Sequence, residues 1–405
     1  MSDLNPLKAE NLFNPAQFYG TLRNEQPVYW SEEVRAWFVT RYDDVIACYR
    51  DSRLSAKRTD AFAQQLQGVA GPEVVEDFSS VSRRQMLYKD GVEHLRLRRV
   101  TSVFTPQVLD GWRPLIRKAM DELLERVLPL QRADFVTEIS LRFPVYVMAG
   151  LFGIPAGDRE RLVKWTGPLA AFSSPTPGAD LLALAKQANT AQAELRDYLN
   201  GLVEQRRKSI GQDILSQMIH THDEGEVSQE DLVANASLIL TAGHLNTTDQ
   251  LGNGLVDLLT HPEQLRQLRN DPSLVKSAVE EMTRFNPSVP FMLRVAAQDV
   301  PLRGQTLRKG DRVFLGMAAA NRDPAVFPNP DRFDITRDHL HQKHVSFGYG
   351  VHACLGAGVG RRELEIAFEA LLERMPYLLL DESQPPRRKA PALLYSGYES
   401  IALQW

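Results

Sequence analysis

The stretch Phe347-Gly348-Tyr349-Gly350-Val351-His352-Ala353-Cys354-Leu355-Gly356 sets a cysteine among glycines in a spacing that folding alone does not require. Glycine admits positive φ and lets the backbone approach a bulky planar group without a clashing Cβ, so the loop reads as a bare cradle. Beyond it, Leu364, Ala367, Leu371 and Leu372 recur at helical spacing, which places Cys354 just before a helix. A thiol there faces unpaired amide N–H groups and the positive end of the helix dipole. Both stabilise the thiolate, the form that binds a metal. The competing reading is a buried cysteine acting as a small hydrophobe. Cys48, inside Val45-Ile46-Ala47-Cys48-Tyr49, fits that description well.

The elements that position such a loop are mostly helical. Helix-period patterns cover residues 107–130, 158–165, 180–208, 228–260, 262–285 and 360–374. Extended segments at 27–30, 36–40 and 311–315 supply a small sheet. The pattern from Ser228 opens like a capping box with Asp231 and repeats Leu232, Ala236, Ile239, Gly243, Thr247, Leu251 and Leu258 until His261-Pro262. At 1.5 Å per residue it is about 45 Å long, enough to cross a domain. Residues 167–178 are rich in turn formers, separate two helical patterns and read as a linker between domains.

The chain has 405 residues, 43% hydrophobic and 24% charged, with a net charge of −4. This is the composition of a globular protein with ample core, and it argues against general nucleic-acid binding. Two cysteines in unlike settings give no disulfide framework and suit a reducing compartment. Residues 1–10 lack a basic region followed by an apolar one, and no later run reaches the length of a membrane span, so the expected location is cytoplasmic.

From Arg41-Tyr42-Asp43-Asp44-Val45 to the carboxy terminus, the motifs follow one order, and the chain resembles the cytochrome P450 family of the soluble bacterial type. The resemblance implies a mainly α fold with a small β-rich part, forming a single domain over residues 1–405, although length alone suggests two or three. It implies haem b as cofactor, with Cys354 as the iron ligand and Phe347, Gly348 and Gly356 framing the loop. A thiolate ligand pushes electron density toward iron and favours O–O cleavage. His94, Arg98, Arg294 and His352 are the implied partners of the haem carboxylates. Arg96, Arg99, Lys343, Arg361 and Arg362 are either solvated basic residues or a patch for an acidic electron carrier. Glu281 and Arg284, at i and i+3 on one helix face, read by themselves as a surface ion pair; the resemblance implies a buried structural triad closed by Arg332, with the turn-rich segments Asn321-Arg322-Asp323-Pro324 and Phe327-Pro328-Asn329-Pro330 between. The implied substrate pocket draws on Phe172, within residues 167–178 that the resemblance makes a mobile lid, and on Ala242, Gly243, Val289, Phe291, Met292 and Tyr395.

In the family the long helix passes over the open haem face, and its middle normally carries an acid followed by threonine. Here that middle reads Ala242-Gly243-His244-Leu245-Asn246-Thr247-Thr248. An ungapped register, fixed by Gly252-Asn253-Gly254 and His261-Pro262, puts Leu245 on the acid and Asn246 on the alcohol. Sliding by one places Asn246 on the acid and Thr247 on the alcohol, at the cost of gaps within a helix. Leu245 relays no proton, and Asn246 hydrogen-bonds without titrating. His244 titrates near neutrality but commonly packs away from the iron in this family.

The leading expectation is a haem-dependent monooxygenase of EC 1.14 type. It would hydroxylate a small, largely apolar molecule of secondary metabolism, with electrons from a ferredoxin and ferredoxin reductase. The substrate is left open as free or carrier-protein-bound. A second reading, raised by Leu245 and Asn246, is oxidative coupling or peroxide-driven oxidation. A third is a haem-binding sensor without catalysis. Cys354 as a plain nucleophile lacks a base at matching spacing.

Overall fold

The computed structural model describes residues 4, 8, 11, 15–66, 68–99, 104–221, 227–338, 343–390 and 392–405, so most of the amino-terminal stretch read for a leader lies outside the described residues. In chain order, the helices that matter below are α1 (Tyr42–Arg50), α2 (Gly91–Arg99), α3 (Phe143–Leu151), α4 (Arg159–Ser173) and α5 (Leu181–Lys208). They are followed by α6 (Gln229–Thr260), α7 (Pro262–Asn270), α8 (Val275–Phe285) and α9 (Ala357–Arg374). A five-stranded sheet uses β1 (Val28–Ser31), β2 (Ala36–Val39), β3 (Leu54–Ser55), β4 (Phe291–Ala296) and β5 (Arg312–Gly316), in the order β1-β2-β5-β4-β3. Among the described residues no helix is long and apolar enough to cross a membrane.

The chain forms two compact units. One comprises Met1–Ser55, Met120–Ser140 and Asn246–Trp405; the other comprises Ala56–Ala119 and Leu141–Leu245. The first contains the sheet, whose residues alternate between two apolar faces as the pleat requires. Ala36, Phe38, Phe291, Leu293 and Phe314 pack on one face. Val39, Met292, Val313 and Leu315 pack on the other with Val45, Cys48 and Tyr49 of α1. Pairing is parallel between β2 and β5, with Phe38 opposite Phe314, and antiparallel elsewhere.

In the second unit, Phe62, Phe78 and Phe172 form an aromatic cluster with ring centroids 5.0 to 6.1 Å apart. Phe172 is fully buried there and is a core residue, not part of a lid. Helix α4 runs on to Ser173 through Gly167 and Pro168, so the turn-rich reading of residues 167–178 holds only beyond the helix. Packing against α5 and the burial of Leu169, Ala170 and Phe172 outweigh the local cost of an internal proline. Helix α5 starts where the Asp180 side chain accepts from the Ala183 amide, 3.0 Å away, and ends in Arg206, Arg207 and Lys208, which suit the negative end of its dipole.

Helix α6 begins as expected, with Ser228 Oγ accepting from the Asp231 amide at 3.1 Å, and it stops at Thr260 before Pro262. The pattern at 262–285 is two helices. Pro272 cannot continue α7, and Asp271 caps the turn that starts the next segment, its Oδ1 3.1 Å from the Ser273 amide.

Candidate functional site

The cysteine loop lies wholly within the sheet-containing unit. Gly348 and Gly350 have φ of +70° and +72°, values that side chains resist, and their turns bring the Cys354 amide to within 2.7 Å of the Phe347 carbonyl. The Cys354 thiol is exposed and sits three residues before the first residue of α9. Gly356 has φ of −82°, open to any residue, and among the described residues nothing beyond its own chain neighbours lies within 4 Å of where its Cβ would stand. Neither backbone strain nor a protein neighbour explains that glycine. It leaves bare space beside an exposed thiol, which fits a flat, bulky, non-protein group. Cys48 has the opposite character: it is buried in the sheet core, and burial, with the charges of Asp44 and Asp51, pushes its thiol up to about 12.

The loop is braced by a buried ion pair. Arg284 Nε and Nη2 donate to the two oxygens of Glu281 at 2.7 and 2.8 Å, and both side chains are 0% exposed. Arg284 Nη1 also donates to the carbonyls of Asn321 and Pro330 at 2.8 and 2.9 Å. The expected third member, Arg332, is replaced by Arg337, whose Nε lies 3.2 Å from Glu281 Oε2. The Arg332 side chain is exposed, and the residue contributes its carbonyl, which accepts from both Arg284 and Arg337. Asn321 carries the bracing onward: its Oδ1 accepts from the Val345 amide at 2.8 Å, and its Nδ2 donates to Ser346 Oγ at 2.7 Å. Phe347 and the cysteine turn follow directly.

Beside Phe347, the Arg361 guanidinium lies 4.3 Å over the ring and pairs with Glu280, which His344 also meets at 3.1 Å. Burial pushes the Glu280 carboxyl up, but the bonds and charges of His344 and Arg361 outweigh it and hold it well below the usual carboxylate range. Arg361 is thus a braced residue rather than a loose patch charge. Arg96 likewise pairs with Asp231 at 3.2 Å.

Arg294 is buried on β4, its guanidinium 5.4 Å from the centre of the Tyr49 ring, while His352 is half-buried in the turn before Cys354. In the second unit His94 is buried with Nδ1 2.9 Å from the Met86 carbonyl, and Arg98 is half-buried one turn along α2. Val289 and Met292 pack against the Tyr49 side of the sheet. Phe291, expected beside them on a pocket wall, points to the other face, because successive strand residues alternate; its ring packs 5.3 Å from Phe38 and 5.7 Å from Tyr19. It belongs to the core. Tyr395 borders a cavity of about 30 Å³ with Asn286, Pro290 and Ser396, room for ordered water.

Helix α6 has one open stripe. Between Asp231 and Leu258 every residue is buried except Leu238, Thr241, Ala242, Gly243, Leu245 and Asn246. All but Gly243 recur at i, i+3/i+4 and i+7/i+8, so they share a face. Gly243 has a packing reason, since a Cβ there would stand 2.9 Å from Met148 Sδ on α3. His244 is turned into its own unit: Nδ1 lies 2.6 Å from Thr166 Oγ1 and Nε2 2.8 Å from the Leu141 carbonyl. With both ring nitrogens so engaged, it is a packing residue and not a proton donor to the stripe. Thr247 also leaves the stripe, its hydroxyl donating to Glu363 Oε2 on α9 at 3.2 Å.

Glu363 escaped the sequence reading, although a signal exists. It stands between Val359 and Ala367 at i±4, an acid on an apolar helix face.

Comparison with known proteins adds independent findings. The model of the family described as Cytochrome P450 matches residues 63–399. The "Biotin biosynthesis cytochrome P450" of Bacillus subtilis (strain 168) is 33% identical over 375 residues, 92% of each chain. "Cytochrome P450 monooxygenase PikC" of Streptomyces venezuelae is 34% identical over 412 residues, 100% of this chain and 94% of that one. The crystal structure of P450BioI in complex with a hexadec-9Z-enoic acid-ligated acyl carrier protein superposes with a TM-score of 0.88 at 31% identity, covering 98% of this chain and 100% of that one.

Proposed function

The chain belongs to the cytochrome P450 family, whose members bind haem b through a cysteine thiolate and act as monooxygenases, and we propose that it hydroxylates a medium-sized, largely apolar molecule of secondary metabolism using Cys354 as the iron ligand. The observation that carries this reading is the exposed Cys354 thiol on a glycine-bare turn at the amino end of α9. Haem bound there supplies dioxygen activation. One oxygen atom enters a substrate C–H bond and the other leaves as water, with two electrons and two protons consumed; a ferredoxin and its reductase are the proposed electron source.

The polypeptide's part is to hold and to exclude. The amide N–H groups and dipole at the start of α9 would favour a thiolate ligand at Cys354, and Gly356 leaves the approach clear. Arg294 and His352 would pair with the haem carboxylates, and the same role falls to His94 and Arg98. The stripe of Leu238, Ala242 and Leu245 on α6 presents apolar surface to a substrate. The relative crystallised with an acyl carrier protein supports a carrier-bound acyl substrate as one form to test. Turnover with isotopically labelled dioxygen should place one labelled atom in the product. Product labelled only from peroxide, or dimerised without oxygen gain, would favour the peroxide-driven or coupling reading.

That second reading draws its support from Leu245 and Asn246 on the open stripe, where neither side chain titrates. In this reading the Asn246 amide would hydrogen-bond the groups that carry protons there. Asn246→Ala is expected to lower product formed per electron about two- to tenfold, the value of one hydrogen bond of about 0.5–1.5 kcal/mol. Asn246→Thr restores a hydroxyl and should equal or exceed wild type. Equal coupling in wild type and Asn246→Ala would remove Asn246 from proton management.

A further inference from the structure

Two neighbouring acids on α8 face different parts of the fold. Glu281 is given over to the meander, where it meets Arg284, Arg337 and the Asp334 amide. Glu280, one residue earlier, turns toward the cysteine loop. Its Oε1 accepts from Arg361 Nε of α9, its Oε2 accepts from Arg361 Nη2 at 3.0 Å, and His344 Nε2 donates to the same Oε2 at 3.1 Å. Both partners close on one ring. The Arg361 guanidinium stands 4.3 Å over Phe347, and the His344 ring centre lies 5.9 Å from that of Phe347. The Phe347 carbonyl in turn accepts from the Cys354 amide at 2.7 Å, so the ion pair and the thiol are joined through a single residue.

The Glu280 and Arg361 side chains are 23% and 33% exposed, so water screens them less than it would a surface pair. The other basic groups of α9 are matched by different acids: Arg362 pairs with Glu365, and Arg374 with Asp121. Arg50 meets the Tyr349 hydroxyl at 2.6 Å, but it is exposed and screened. Glu280 and Arg361 are thus the charges that reach the cysteine turn through Phe347.

We propose that Glu280 is a positioning residue that holds Arg361 over Phe347 as a neutralised pair, and that this balance sets how readily a metal bound at Cys354 is reduced. The inference rests on the haem-thiolate reading above and deepens it by naming what on this side of the fold sets the energy of accepting an electron. In that step one electron passes from the ferredoxin, iron(III) becomes iron(II), and no bond breaks. An uncovered cation nearby favours the reduced form, and an uncovered carboxylate favours the oxidised one.

The test is the midpoint potential of the haem-loaded protein, read by spectroscopic titration without turnover. Glu280→Gln uncovers Arg361 and should raise the potential, moving the oxidised-to-reduced ratio about tenfold, or about 59 mV for one electron. Arg361→Met uncovers Glu280 and should lower the potential, less steeply because His344 still donates to that carboxylate. With both substitutions together neither charge is left, and the potential should return close to wild type. A pair that served only to stiffen the turn would behave otherwise: the two single variants would shift the potential the same way, and the double variant would lie at least as far from wild type.

A second readout involves no electron. Against the upward push of burial, His344 and Arg361 hold the Glu280 carboxyl below its ordinary 4.5, so its contribution to stability is full above that pH and is lost as pH falls below it. Glu280→Gln should lack that part of the acid loss. Identical acid unfolding in wild type and Glu280→Gln, or potential shifts of one sign in the two single variants, overturns the proposal. Should Glu280→Gln fail to fold, a rise or no change in Arg361→Met overturns it equally. Absence of the red-shifted carbon monoxide band in reduced wild type overturns instead the haem-thiolate reading beneath it.

Discussion

Cys354→Ala is expected to abolish the red-shifted carbon monoxide band of the reduced, haem-loaded protein, and Cys48→Ala to leave it intact. Both are cysteines in one chain, but their surroundings are opposite: one is exposed before a helix and the other is buried in the sheet core. Cys354 is exposed beside the amino end of an 18-residue helix, where backbone amides favour the thiolate. Cys48 lies in the sheet core against Val45 and Val313, its thiol held protonated by burial and by two nearby carboxylates. It has neither the charge state nor the access to bind iron. The loss on Cys354→Ala should be complete, because the spectral shift depends on the thiolate itself. A retained band in that variant, or a histidine-like spectrum in wild type, would defeat the assignment.

What the sequence made legible follows from the range of the forces involved. The cysteine turn was readable because its causes are local: glycines at two left-handed positions, and a helix starting three residues later. The open stripe of α6 was readable in part, since Ala242, Leu245 and Asn246 recur at helical spacing, yet nothing in that spacing shows that Thr247 faces α9. His244 could not be settled from sequence, because its partner Thr166 lies 78 residues away. Local rules misled in α4, where Gly167 and Pro168 read as a turn, and burial of Phe172 carries the helix past them. One residue of strand parity decided Phe291 against Met292. Glu363 was passed over because an acid within an apolar pattern looks like an interruption, and its meaning appears only with Thr247 beside it.

The largest stability effect is expected at the buried ion pair. Arg284→Ala removes the guanidinium that satisfies both Glu281 oxygens and the carbonyls of Asn321 and Pro330, leaving a buried carboxylate that keeps Arg337 and the Asp334 amide but has lost its bidentate partner. Removing one partner of such a pair costs about 3–5 kcal/mol, against roughly 5–15 kcal/mol for a whole domain. Urea unfolding should show that fall. The carbon monoxide band should weaken at denaturant concentrations that wild type survives, because Asn321 passes the same bracing to Val345 and Ser346, ahead of the cysteine turn. Replacing both partners, with Glu281→Met and Arg284→Met together, should cost less than Arg284→Ala alone, since no buried carboxylate is left stranded and Arg337 keeps its carbonyl acceptors. It should not regain wild-type stability, because the carbonyls of Asn321, Pro330 and Arg332 keep no donor from residue 284. The two arginines of the meander separate the assignment. Arg337→Ala loses bonds to Glu281 and to the carbonyls of Pro328, Asn329 and Arg332, and should cost about 1.5–3 kcal/mol as a hydrogen-bonded charge. Arg332→Ala trims an exposed side chain and should stay within about 0.5 kcal/mol, since the carbonyl it lends to the cluster belongs to the backbone. Equal losses at the two positions would return Arg332 to the triad.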